Sequence, residues 1–315
     1  MRLSMIVNPF TDRNLALAAQ VGVTDVVIHY PGLDLAALKA MQTRIESFGL
    51  RLTHVERKIP HLKFVHDLPG RDRQIEDFKT LIRNMAECGM EVLSYNWMPD
   101  EDWQRTTCDS PERGGSKSTA FRLADIDHNI TDADGLPPAA TPALQLWDNL
   151  EYFLNAVVPV AEDANIKLAI HPDDPPLAEL RGQPRIIISN AAFQRVVGLV
   201  PSPVNGVCYC VGSYAPAGID LIGGIRRLAD KIFFFHARNV RGRADDFQET
   251  WPDNGDIPMP AIIRTLHEIG YTGTIRPDHA PSMAGEPNDT PGYEMQGRLF
   301  AAGYLRGLIQ ATASH

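Results

Sequence analysis

Eight short strand-like runs recur along the chain, with stretches of helical spacing lying between them. The runs are Leu3–Val7, Asp25–Tyr30, Leu50–Glu56, Glu91–Trp97, Ile166–His171, Asn205–Cys210, Lys231–His236 and Gly273–Asp278. Asn14–Val21, Leu35–Phe48, Arg73–Cys88, Pro142–Ala164 and Pro260–Ile269 repeat apolar residues at a period of about 3.6. Gly49, Gly89 and Gly270 close three of these stretches, as left-handed helix caps do. Strands alternating with helices imply βα units around a parallel sheet, and eight units predict an α/β fold of the (β/α)8 TIM-barrel type.

The 315 residues, 44% of them hydrophobic, can bury one large core and exceed the roughly 250 of a plain barrel. A single domain over residues 1–315 is therefore expected, with insertions. The largest, residues 100–141, follows the fourth strand and is rich in Asp, Thr, Gly, Ser and Arg without a sustained apolar period. Its position predicts a rim insertion or lid, and Trp103, Arg105 and Phe121 suit a cover over an active site. A second loop, Arg241–Met259, follows the seventh strand.

A formal charge of −9 disfavours nucleic acid and anionic membranes as partners, since both select basic faces. A local Arg cluster can still hold an anionic small molecule. The cysteines Cys88, Cys108, Cys208 and Cys210 form no disulfide framework, and the N-terminal residues lack a secretory pattern, so a reduced, cytoplasmic enzyme is expected. No apolar run approaches the ~20 residues of a membrane span.

Function is written at the strand ends. His171, Cys210, His236 and Asp278 stand at the ends of the fifth to eighth runs. In this fold the C-terminal ends of the strands converge on one reacting centre. Each residue alone has an ordinary reading: a strand-end histidine is often structural, and Cys208 shares a strand face with Cys210, so one of the two cysteines can be simple packing. Four ligand-type residues at one barrel end nevertheless predict a divalent metal site with N, S and O donors. The thiolate disfavours Mg²⁺, while Mn²⁺, Fe²⁺, Co²⁺, Ni²⁺ and Zn²⁺ all suit the set. His279, displaced around the rim from Asp278, suits proton transfer beside the metal, with hydrogen bonding behind a ligand as its alternative role.

Several segments then resemble the mannonate dehydratases, metal-dependent sugar-acid dehydratases on a xylose-isomerase-like TIM barrel. They are GRDRQIEDFKTLIRNMAECGMEVLSYNWMP at residues 70–99, DWQRT at 102–106, GGSKSTAF at 114–121, HPDDPP at 171–176, CVGS at 210–213, HARNV at 236–240, NGDIPM at 254–259, RPDH at 276–279 and PGYEMQGRLFAAGYLRGL at 291–308. HPDDPP, CVGS and RPDH in this order are the specific combination. The resemblance implies metal ligation by His171, Cys210, His236 and Asp278, and proton transfer by His279 and Tyr293. It implies substrate binding by Arg105, Arg238, Asn239 and Arg276, with Mn²⁺ the first expectation for the metal, no organic cofactor, and a homo-oligomer, specifically a dimer.

The implied reaction converts D-mannonate or a related aldonic acid to a 2-keto-3-deoxy acid and water. A metal-dependent isomerase or epimerase on the same barrel, and a non-catalytic sugar-acid binding protein, are the alternatives. The chain departs from the resembling family at MRLSMIVNPFTD, where an Arg-Trp-x-Gly segment is usual, and at VERKIPHLKFVHDLPG, where a Glu-Ser-Ile-Pro-Val-His-Glu stretch is usual. Only Glu56, Ile59 and Pro60 are retained in the latter. Ala280 replaces the Gly usual after RPDH, and FQETWPD precedes NGD where the family tends to have a His. These changes predict that the sugar-binding half differs while the metal half persists.

Overall fold

A computed structural model describes residues 1–100, 103–127 and 140–313. Eight parallel strands close a barrel in strict chain order: Arg2–Ile6, Asp25–Ile28, Arg51–Glu56, Val92–Tyr95, Lys167–Ile170, Asn205–Cys210, Ile232–His236 and Thr274–Arg276. Seven of the eight expected runs contain their strand, and the first, Leu3–Val7, overlaps its strand with a shift of one residue. The eighth pairs back onto the first, Arg2 with Thr274 and Leu3 with Ile275, so the barrel has no free edge.

Helices Asp12–Gln20, Leu35–Glu46, Arg71–Glu87, Ala143–Ala164, Met259–Glu268 and Met295–Thr312 pack around the strands. Helix Leu35–Glu46 starts where the Asp34 side chain accepts from the backbone N–H groups of Ala36 and Ala37. Beyond its end, Gly49 adopts φ +73°, a conformation that costs an L side chain but not glycine. The main core lies between strands and helices, where Phe64, Phe78, Trp97 and Phe153 interlock at ring separations of 4.5–6.1 Å.

The rim carries more order than its composition suggests. Within the insertion, strands Thr107–Pro111 and Lys117–Arg122 pair antiparallel with each other. The second of them pairs with Asp246–Glu249, which forms a hairpin with Val240–Arg243 from the loop after the seventh barrel strand. The two segments expected as loops thus form one four-stranded antiparallel sheet above the barrel mouth. Residues 101–102 and 128–139 of the expected lid lie outside the described residues. No helix among the described residues is long and apolar enough to cross a membrane.

Candidate active site and metal centre

Successive side chains on a strand point to opposite faces, and one face of each barrel strand is the barrel interior. Val207 and Tyr209 join the helix-facing core, whereas Cys208 joins Ile6, Val27, Val92, Ala169 and Phe234 inside the barrel. The same alternation carries Cys210 inward above Cys208, His236 above Phe234 and Glu56 above His54. Cys210, His236 and Arg276 are register partners across three strands, one layer above Cys208, Phe234 and Thr274. Sequence parity alone therefore stacks the candidate ligands at the C-terminal mouth.

His236 is the hub. Its Nε2 lies 3.1 Å from Glu56 Oε1 and 3.3 Å from Cys208 Sγ, while its Nδ1 faces Asp278 Oδ2 at 3.8 Å. Two sets of donor atoms each fall within 4.8 Å of one another: Cys210, His236 and Asp278, and Glu56, His171, Cys208 and His236. The four residues expected as ligands are thus divided between sets that share His236, with the His171 and His236 rings 5.1 Å apart.

Hydrogen-bond polarity distinguishes the two faces of the His236 ring. A carboxylate only accepts, so the Glu56 contact places the His236 proton on Nε2 and leaves Nδ1 with its lone pair. That Nδ1 is buried and has no hydrogen-bond partner. A bare imidazole nitrogen beside a thiol and a carboxylate is the pattern a divalent cation satisfies, with Glu56 orienting the ligand from behind. His171 is prepared in the same way: its Nδ1 donates to the Pro172 carbonyl at 2.7 Å, which frees Nε2. The residues present fit a transition-metal ion.

Beside the metal ligands runs a chain of proton-bearing groups. His279 Nε2 lies 3.0 Å from the Tyr293 hydroxyl, and His279 Nδ1 lies 2.8 Å from Glu249 Oε1. Arg57 Nη1 donates to the Tyr293 oxygen at 2.7 Å, and the Trp103 ring meets that of His279 edge-on at 4.8 Å. Burial holds the His279 pKa below its ordinary value against the pull of Asp278 and Glu249. It also pushes the Tyr293 phenol up, against the opposing influence of Arg57 and Arg276.

Beside these groups four charged side chains are shut away from water. Arg105 grips Asp174 at 2.7 and 3.1 Å and also pairs with Glu249; Arg238 holds Asp174 at 2.7 Å and Glu249 at 2.9 Å. Burial alone would raise both carboxyls, but the two guanidinium groups, with His279 at Glu249, hold them well below the usual range. Arg276 pairs with Asp278 Oδ1 at 2.6 Å and Glu56 Oε2 at 3.1 Å. Burial would likewise raise Asp278 and Glu56; cationic neighbours, including Arg276 for both, hold them down.

The pocket beside them is open to solvent and is lined by Glu56, Arg57, Trp103, Arg276, His279 and Tyr293, with His171, Asp174, Arg238 and Asp278 among its other walls. Of the expected substrate binders, Arg238 and Arg276 line it, and Arg105 does not but holds Asp174, which does. Asn239 does not line it. Its amide spans the next loop, donating to the Pro252 and Ile257 carbonyls and accepting from the Val240 and Ile257 N–H groups.

Glu56, Asp174, Glu249 and Arg57 had no assigned role in the sequence reading. Glu56 ends a strand and Asp174 stands within HPDDPP, so both carried a positional signal. Glu249 carried none, because only the rim hairpin brings it to His279.

The family described as D-mannonate dehydratase (UxuA) matches residues 12–136 and 140–315. The mannonate dehydratase of Streptococcus suis (strain 05ZYH33) is 35% identical over 94% of this chain and 88% of its own length. Mannonate dehydratase 2 of Halalkalibacterium halodurans is 36% identical over 87% of this chain and 86% of its own length. The crystal structure of mannonate dehydratase from Streptococcus suis serotype 2 superposes with a TM-score of 0.92 at 34% identity, covering 99% of this chain and 93% of that one. A D-tagatose 3-epimerase-like protein shares the fold at a TM-score of 0.67 and 15% identity, covering 99% of this chain and 98% of that one.

Proposed function

Because the chain belongs to the D-mannonate dehydratase family, and is a metal-dependent sugar-acid dehydratase, we propose that it converts D-mannonate or a related aldonic acid to a 2-keto-3-deoxy acid and water. The observation that carries this reading is the His279–Tyr293 pair, 3.0 Å apart on the pocket wall immediately beside the Cys210, His236 and Asp278 donors. Loss of water from an aldonic acid needs a proton removed from the carbon beside the carboxylate and a proton delivered to the departing hydroxyl. Two proton-transfer groups side by side, both buried, meet that need.

His171, Cys210, His236 and Asp278 would hold the ion, with Glu56 behind His236. A divalent cation there, Mn²⁺ first, supplies Lewis-acid polarisation of the substrate's carboxylate and hydroxyl oxygens. Arg238 and Arg276 present guanidinium groups at the pocket wall for substrate oxygens. His279 and Tyr293 divide the proton transfers, and Glu249 fixes the His279 ring through Nδ1. Asp174, held by Arg105 and Arg238, keeps both cations in place. The enol that results tautomerises to the 2-keto acid without an organic cofactor.

The rim sheet covers the mouth as a lid over the single domain. The enzyme is proposed as homodimeric and cytoplasmic, as expected from the sequence; the four free cysteines bear on the compartment alone. The deciding experiment incubates Mn²⁺-loaded protein with a panel of aldonic and uronic acids and follows product mass. A 2-keto-3-deoxy product lighter by one water supports the reading; a product of unchanged mass would replace it with isomerisation.

A further inference from the structure

Arg57 stands directly after the third barrel strand, in a segment expected from the sequence to differ from the family. Its backbone is pinned. The Tyr30 N–H donates to the Arg57 carbonyl at 3.1 Å, and His29 Nδ1 lies 3.2 Å from the preceding Glu56 carbonyl, which can only accept. Arg57 and Lys58 both adopt left-handed conformations, with φ of +66° and +58°, which side-chain-bearing residues rarely hold without compensating contacts. That turn carries the Arg57 guanidinium over the rings of Tyr293 and Trp103, at 5.2 and 5.6 Å from their centroids, and Nη1 to 2.7 Å from the phenol oxygen.

Arginine has five N–H donors and no acceptor, so the polarity of this contact is fixed. Tyr293 must accept from Arg57, and its own hydroxyl proton is then left to point elsewhere. The nearest partner is His279 Nε2 at 3.0 Å; His279 Nδ1 in turn faces the acceptor-only Glu249 at 2.8 Å, with Arg238 Nη1 3.0 Å from that nitrogen and donating to the same Glu249 oxygen at 2.9 Å. We propose that Arg57 is a positioning residue that aligns the Tyr293 hydroxyl with His279, so that a proton passes between phenol and imidazole along one directed chain ending at Glu249. The chain is Arg57 to Tyr293 to His279 to Glu249, drawn from the third and seventh barrel strands' exits and from the loop after the eighth. The cation also offsets the burial that pushes the phenol up.

This role rests on the dehydratase reading and deepens it. Arg57→Met removes both the donor and the charge while keeping an unbranched side chain. We expect kcat to fall about 10- to 100-fold, with KM within about threefold, because the loss is one of alignment at the proton-transfer groups. Metal content and thermal midpoint should match the wild type. Arg57→Lys, which restores a donor and a cation without the planar fork, should recover part of the lost kcat. If Arg57→Met does not accumulate as folded protein, Arg57→Gln is read in its place and should still lose on kcat. A variant with kcat within twofold of wild type, or one whose whole loss lies in KM, overturns the positioning role. An inactive, metal-loaded wild type overturns the dehydratase reading itself; an active wild type beside an unimpaired Arg57→Met overturns the positioning alone.

Discussion

Glu56 Oε1 lies 3.1 Å from His236 Nε2, on the far side of the imidazole from the nitrogen that faces Cys210 and Asp278. A carboxylate so placed fixes the tautomer of a metal-binding histidine and raises its basicity. Glu56→Gln should therefore weaken metal affinity by about 10- to 100-fold while leaving one ion per chain at saturation. Isothermal titration with Mn²⁺ reads this directly, and an unchanged affinity would leave Glu56 with a role toward Arg276 only.

Cys210 shares the level of His236, and Cys208 lies one layer deeper, on the Nε2 side of the ring. Burial pushes the Cys208 thiol well above its ordinary pKa, which disfavours the thiolate a metal requires. Cys210→Ser should lose most bound metal and Cys208→Ser should keep it. The reverse pattern in elemental analysis would move the ion to the deeper set with Glu56 and His171.

His279→Asn and Tyr293→Phe should each reduce kcat by at least about 100-fold with metal still bound, since each removes a proton-transfer group without touching the ligands. Metal stoichiometry measured beside turnover is the check. Retained activity removes that residue from the pair, and lost metal in His279→Asn would make it a ligand.

Two histidines outside the metal centre predict the pH dependence of stability. Burial lowers His54 to about 3 and His29 to about 4. Both are neutral in the fold, whereas the unfolded chain protonates them below about pH 6.5. The unfolded state then binds more protons, so stability falls as pH drops from about 6.5 towards 4, by up to about 1.4 kcal/mol per pH unit for each histidine. The depressed carboxyls, Glu56, Asp174, Glu249 and Asp278, contribute stability present above their unfolded values near pH 4 and lost only below that. Denaturant titrations at pH 7.5, 6 and 5 should show the first decline, and His54→Gln should flatten it. A flat profile in the wild type would mean that His54 is not held neutral.

Substrate choice is the prediction most exposed to failure. Arg57 and Lys58 occupy a segment expected from the sequence to differ from the family, and Arg57 lines the pocket. A pocket that hydrogen-bonds particular hydroxyls loses discrimination when those partners change. A sugar acid differing from D-mannonate in chain length or stereochemistry should therefore match or exceed it in kcat/KM. A panel in which D-mannonate leads by a wide margin would show that the altered segments are neutral replacements.

The barrel was legible because strands buried on both faces read as apolar runs, and their alternation stacks Cys210, His236 and Glu56 without further information. Helices Leu62–His66 and Leu221–Arg227 carried no legible signal, being too short for a periodic one, whereas Asn190–Leu199 is as long as Met259–Glu268 and was missed without that excuse. The rim strands escaped for another reason. Thr107–Pro111 is largely polar and half solvated, so its strand character comes from pairing with Lys117–Arg122 rather than from burial. Glu249 was hidden for a third reason, and Asp174 showed its place but not its role: the chemistry of both is set by Arg105 and Arg238, whose approach only tertiary structure reveals.

The rim sheet joins segments that lie more than a hundred residues apart in the chain, and one of its strands ends at Glu249. Ser118 donates to the Glu249 carbonyl, Trp251 donates to Ser116 at 3.1 Å, and Arg113 pairs with Asp253 at 2.8 Å. The insertion and the hairpin are therefore one transplantable unit, not two independent loops. Grafting either alone onto another barrel would leave an unpaired strand edge and an unbraced imidazole, so loop exchange among barrels of this kind has to move both together.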